Sequence, residues 1–362
     1  MVTSNSDGKQ VVMAAETPRR SSAWKMPGVN PILIKELRSR MRGPRAFLIL
    51  TGFLLFLSAV LFLLYKTMEE AFRYAGPVQV SATMGLTMFL GIAFFELFLV
   101  TFITPALTAG TISSERESLT YEMLLATPLR PASILLGKMV AALSYVFLLI
   151  FAAVPMLSLV FIFGGVTLRD MAVALLFLAV ATITFGTIGV FWSALLGRTG
   201  RATVMSYLTL LLLIMGPYFI YFFWGVIAHR TPPPALLYPN PFTAMISIVD
   251  LGQNGMNFMG GFAYFLFNLL TGGMGFGGPQ LQVNHPAWHW TLALYSMITL
   301  VLGLATILLV RPVGRRRVTV PQAVLALLLI VAMIASFTMI FQLEDWKQIW
   351  SSPDQMMEGF KG

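Results

Sequence analysis

The sequence has no cysteine and only three histidines in 362 residues. Without cysteine there is no disulfide, no thiol nucleophile and no thiolate metal site. Charge is scarce as well: Asp, Glu, Lys and Arg make up 11% of the chain, against about 25% in a soluble domain. A catalytic cluster of His, Asp or Glu at one level has little to draw on. A G-x-x-x-x-G-K-[ST] phosphate loop is also missing, because Gly137-Lys138 is followed by Met139. No backbone cradle for ATP is present, so no cofactor and no enzymatic activity are expected on this chain.

What fills the sequence is apolar. Hydrophobic residues make up 57% of it, and mean hydropathy is +0.80. Apolar runs of about 18 residues or more recur, the length that crosses ~30 Å of hydrocarbon. Seven spans are read, near 47–65, 84–108, 138–163, 171–197, 202–228, 290–311 and 320–342. The reading is an all-α polytopic membrane protein.

The formal charge of +9 would suit nucleic acid, but its placement argues against that partner. Three-quarters of the Lys and Arg fall before residue 47 or in alternate segments: Arg116, Arg130 and Lys138, then Arg198 and Arg201, then Arg311 and Arg315 to Arg317. This is the positive-inside bias. It predicts a cytoplasmic N terminus, an outer C terminus after seven spans, and multi-pass residence in the plasma (inner) membrane, most simply of a bacterium.

Residues 1–28 are polar and lack a short apolar core, so they read as a disordered cytoplasmic tail, not a signal peptide. Residues 29–46 read as an amphipathic elbow helix. Ile32, Ile34, Leu37 and Met41 interleave there with Lys35, Glu36, Arg38 and Arg42, which suits the headgroup layer. Two readings stay open, a topology anchor and an elbow that also touches a cytoplasmic partner. Gly43-Pro44 then turns the chain into the first span. Six spans occupy 47–317, a seventh follows in 318–342, and 343–362 form an outer tail.

Pro105, Pro155 and Pro217 fall inside spans and each removes a backbone donor. Gly186 and Gly189 offer close helix contact without a GxxxG pattern. Glu96, in FFELF, sits mid-span, where an isolated charge costs several kcal/mol; it should face protein or water. It either contacts substrate or gates the translocation path between protomers, or it is a protonated carboxyl bonded to a neighbouring Ser or Thr. His285 and His289 have i, i+4 spacing, but no third ligand accompanies them. With Trp288 and Trp290 they read as interfacial anchors, and no metal site is assigned. The outer segment 229–289 contains a glycine-interrupted apolar stretch, 261–272, too short to span. It is either an exit lid or a helix packed on the outer face.

The loop 109–137, AGTISSERESLTYEMLLATPLRPASILLG, is too polar to cross a bilayer. Ile112, Leu119 and Met123 fall within about 40° on a helical wheel, with Glu117, Tyr121 and Leu124 on the other side. Ser113 or Ser114 is expected to cap this helix. Pro128 and Pro131 end it and open the next span. Physics alone leaves two readings equal: a helix that fits a partner's groove, and an interfacial helix with no partner.

Three pieces of this loop carry a resemblance: ISSERESLT (112–120), LLATP (124–128) and ILLGK (134–138). In this order they are similar to the ABC-2-type permeases, membrane subunits of type V ABC exporters. NPILIKELRSRMR resembles that family's opening helix, and YPNPF (238–242) its Asn-Pro-Phe after the fifth span. Leu119-Thr120 stands where many members have Gly-Thr-Leu. The resemblance covers about residues 30–317, and the seventh span departs from it.

The resemblance implies a six-span permease core that works as a dimer, with a second permease identical or paralogous. It implies an ABC ATPase partner that carries ATP and Mg and docks on the loop between spans two and three. Glu115, Arg116, Glu117, Thr120, Leu124 and Pro128 are then the expected ATPase-coupling residues. Two other classes are weighed against it. A stand-alone secondary transporter or channel would carry paired intramembrane charges or inverted repeats; a non-transporting membrane anchor subunit would need neither.

Overall fold

The computed structural model describes residues 44–71, 77–120, 131–228, 234–249 and 287–310. The elbow residues Lys35, Glu36, Arg38 and Arg42, the seventh span and the 261–272 stretch lie outside them. Six long helices form: α1 (Pro44–Ala71), α2 (Pro77–Thr108), α4 (Pro131–Leu159), α5 (Leu168–Leu196), α6 (Thr199–Ala228) and α8 (Trp288–Val310). Two short ones join them, α3 (Ser113–Glu117) in the loop and α7 (Pro241–Ile246) beyond α6. All six long helices are apolar enough to cross a membrane, so the chain is a multi-pass membrane protein.

Proline marks the starts. Pro44, Pro77, Pro131 and Pro241 each open a helix, where the missing N–H would have had no helical partner anyway. The α2 and α4 helices therefore begin before their apolar runs at 84 and 138. Pro105, Pro155 and Pro217 lie within α2, α4 and α6, which continue through them.

Helix α5 is the centre of the bundle, packed against α2, α4, α6 and α8. Of its apolar window 67% is buried, against 6% for α1. Phe177 and Phe185 of α5 enclose the ring of Tyr295 from α8. Leu57, Phe89, Ile92, Leu97, Val146 and Leu157 complete the core. The two glycines allow close crossings: a Cβ on Gly186 would come within 2.7 Å of Leu143 of α4, and one on Gly189 would overlap Thr108 of α2.

Several hydroxyls inside the spans find partners at hand, because hydrocarbon supplies none, though Thr104 Oγ1 and Tyr145 Oη have none among the described residues. Thr101, Thr182, Thr187 and Ser206 each donate to the carbonyl one turn back. Between helices, Trp192 Nε1 of α5 donates to Thr209 Oγ1 of α6 at 2.9 Å. Tyr207 Oη of α6 donates to the Phe102 carbonyl of α2 at 2.7 Å.

The Tyr238–Phe242 hairpin is fastened by its own carbonyls. Thr291 Oγ1 donates to the Tyr238 carbonyl, and Tyr295 Oη to that of Pro239. Asn240 is fully buried. Its Oδ1 accepts the Phe242 and Thr243 amides to start α7, while its Nδ2 donates to the Ile214 carbonyl of α6 at 2.6 Å. Trp290 packs beneath this hairpin with Ala235, Tyr238 and Ala287.

Candidate functional site

The loop after α2 is a tight structure. After Thr108 the chain makes one turn, then α3, whose N-cap is Ile112 without a side-chain cap. The expected serine caps do not form. Ser113 Oγ and Ser114 Oγ instead donate back to the Ala109 and Gly110 carbonyls. The orphan amides of Ile112 and Ser113 go to Ser193 Oγ of α5, at 3.0 and 2.9 Å. A residue 80 positions away thus does the work of a local cap.

The helix is also shorter than the wheel predicts. It ends at Glu117, and Leu119 has φ 58°. Thr120 N–H bonds the Glu115 carbonyl at 3.0 Å and Leu119 N–H the Arg116 carbonyl at 3.3 Å. This is a Schellman ending, with leucine at the left-handed position usually held by glycine. Ile112 and Leu119 consequently do not share a face: Ile112 is buried and Leu119 is 84% exposed. Tyr121, Met123, Leu124 and Pro128 lie outside the described residues.

The charged side chains of α3 engage this chain's own spans. Lys138 of α4 pairs with Glu115 and donates to the Thr111 carbonyl at 3.2 Å. The Glu117 carboxylate accepts the backbone N–H of Thr199 at 2.9 Å and its hydroxyl at 2.8 Å. Thr199 opens α6, so Glu117 serves as that helix's cap from 82 residues away. Those two bonds from Thr199, aided by Arg198, hold the exposed Glu117 carboxyl below its ordinary pKa. Ser193 Oγ reaches Ser113 Oγ, which lies 3.0 Å from Thr199 Oγ1, and the Thr199 hydroxyl donates to Glu117. Gly197 ends α5 at φ +64°, and a Cβ there would come within 3.3 Å of the Arg116 guanidinium.

The structure thus brings Glu115, Arg116, Glu117 and Thr120 together at the ends of α4, α5 and α6. It adds Ser193, Thr199 and Lys138, which sequence reasoning did not select. Thr199 had a signal, since it follows Gly197-Arg198 at a helix start. Ser193 was a lone polar residue at the end of an apolar run.

Glu96 is 1% exposed, and neither carboxylate oxygen has a hydrogen-bond partner among the described residues. It is enclosed within a single protomer, and of its two readings the one with a bond to a Ser or Thr finds no such partner among the described residues. His289 stacks on Trp288 at the start of α8; His285 lies outside the described residues.

A family model described as ABC-2 family transporter protein matches residues 30–346. No curated protein and no solved structure matches the chain.

Proposed function

The chain belongs to the ABC-2 transporter family, and from that premise we propose how this permease subunit of an ABC transporter works. Two copies, identical or paralogous, enclose the substrate path. A separate ABC ATPase binds ATP and Mg, docks on the loop between α2 and α4, and drives export. The N terminus and this loop are cytoplasmic, as the distribution of Lys and Arg supports. The absence of a phosphate loop supports a division of labour in which this chain hydrolyses nothing.

One observation carries the docking surface. At the end of α3 a leucine stands 84% exposed in a left-handed conformation. Such a backbone costs a leucine about 1 kcal/mol and persists where the surroundings enforce it. Four bonds to the Glu115 and Arg116 carbonyls hold the turn. A rigid apolar knob beside a polar rim suits a groove on a soluble partner. Glu115 and Glu117 act behind it, setting the pose of the loop.

The test is an affinity pull-down in mild detergent with wild type, Leu119→Asn and Glu117→Arg. Asparagine tolerates the left-handed backbone, so Leu119→Asn removes the knob and keeps the turn. A Walker-type ATPase recovered with wild type and lost with Leu119→Asn is the expected result. Recovery with all three chains would move the docking surface elsewhere. Recovery with none would favour a stand-alone transporter or channel, or a membrane anchor subunit.

A further inference from the structure

The loop helix α3 is fastened at its two ends to two different spans. Its first amides bond Ser193 of α5. Its last residue, Glu117, holds the first residue of α6 through both the amide and hydroxyl of Thr199. From Ser113 to Glu117 is about 6 Å along a helix, so one end can act as pivot and the other as arm.

The α6 helix is held again at two further places. About a third of the way along, Tyr207 bonds α2 and Thr209 bonds Trp192 of α5. About 22 Å from Thr199 by helical rise, its Ile214 carbonyl takes the buried Asn240 amide. Ile214 lies in the turn that Pro217 loosens, since proline gives no N–H and crowds the preceding turn. Asn240 occupies that weak point and carries α7 on its Oδ1. Pro217 offers no N–H to the Leu213 carbonyl four residues back, and Asn240 bonds the next carbonyl, that of Ile214, while it starts α7.

We propose that α6 is the lever of this permease. Glu117 moves its loop-side end, Tyr207 and Thr209 are the fulcrum, and Asn240 passes the motion to the hairpin before α8. Glu117 is thereby a positioning residue that acts through Thr199. This rests on the reading that the loop receives the ATPase's motion, yet the mechanical link is present in the chain alone.

The test uses nitroxide pairs on the full chain in lipid nanodiscs, diluted with unlabelled chain. The natural sequence has no cysteine, so each introduced thiol is unique. Leu48→Cys with Arg201→Cys reports the loop-side end of α6 against α1. Phe223→Cys with Ala293→Cys reports its far end against α8, and Ala172→Cys with Ser296→Cys gives a reference between α5 and α8. All six positions are exposed. Glu117→Ala is expected to shift or broaden the distance distributions of both α6 pairs and leave the reference unchanged. Thr199→Ser, which keeps the hydroxyl and the amide, should match wild type. Asn240→Ala should alter only the far pair.

A response to Glu117→Ala confined to the loop-side pair, or absent from both, would overturn the lever. If Glu117→Ala also moved the reference pair, Glu117→Gln, which keeps one acceptor, would decide by the same criterion. Because no ATPase is present here, recovery of the ATPase with all three chains in the pull-down, together with a propagated shift in this experiment, would reject the docking site and keep the lever.

Discussion

Gly189 of α5 lies against Thr108 of α2 so closely that a methyl group at 189 would overlap the threonine Oγ1. Thr108 cannot simply turn aside, because its hydroxyl is bonded to the Thr104 carbonyl at 2.8 Å. Gly189→Ala should therefore destabilise by about 1–3 kcal/mol, the range for overpacking. Gly303 of α8 is the control, since a methyl group at 303 would meet no atom within 4 Å. Gly303→Ala should be neutral or gain about 0.5–1 kcal/mol from helix propensity. Thermal unfolding in detergent followed by size-exclusion separates the two. Equal melting temperatures would show that the α2–α5 crossing can open to admit a methyl group.

Asn240→Ala removes a helix cap and leaves the Ile214 carbonyl without its side-chain donor. The cap is worth about 1 kcal/mol and the lost hydrogen bond to the Ile214 carbonyl about 0.5–1.5 kcal/mol. Asn240→Asp keeps the acceptor for α7 but loses the donor and adds a charge at a fully buried position. Both variants should melt lower than wild type, with Asp no better than Ala. An Asp variant as stable as wild type would mean the amide bond to α6 contributes nothing.

The Glu117–Thr199 grip should depend on pH with a definite sign. The folded carboxyl lies below its ordinary 4.5, chiefly through the Thr199 hydroxyl and amide. Its contribution is fully present above 4.5 and is lost as pH falls through the lowered folded value. A nitroxide on Ser118→Cys should stay immobile from neutral pH into the carboxylate range and loosen below it. In Glu117→Gln the same label should show no such transition. Loosening in both variants at one pH would assign the effect to another group.

Glu96→Met should be tolerated and even stabilising. The carboxyl has no hydrogen-bond partner among the described residues, so an apolar side chain of similar length loses no bond and gains burial. Glu96→Lys, a larger cation in the same enclosed place, should prevent folding. A lower melting temperature for Glu96→Met would reveal a polar contact for this carboxyl.

Hydropathy and length were enough to read the six described spans, and the scarcity of charge and cysteine fixed the class. Helix starts were less legible, because Pro77 and Pro131 stand ahead of the apolar runs. The loop was legible as a site and not as a geometry. Its caps come from Ser193 and its carboxylate partners from Lys138 and Thr199, contacts that no local pattern encodes. Leu119 ends α3 against the usual preference for glycine, so a wheel drawn through it gave the wrong face. Asn240 stood out through the YPNPF run, but its bond to Ile214 joins two segments that only the folded chain brings together.

Helix α5 is closed by the protein at both its ends. Thr167 and Asp170 exchange bonds at its start, and Gly197 turns left-handed at its finish. Its flanks are walled by four neighbours, so it has little surface to trade with lipid when the others shift. In a machine that rocks, some part must serve as the frame. Displacements of α1, α6 and the loop are best surveyed from α5, as bearings are taken from a fixed mast.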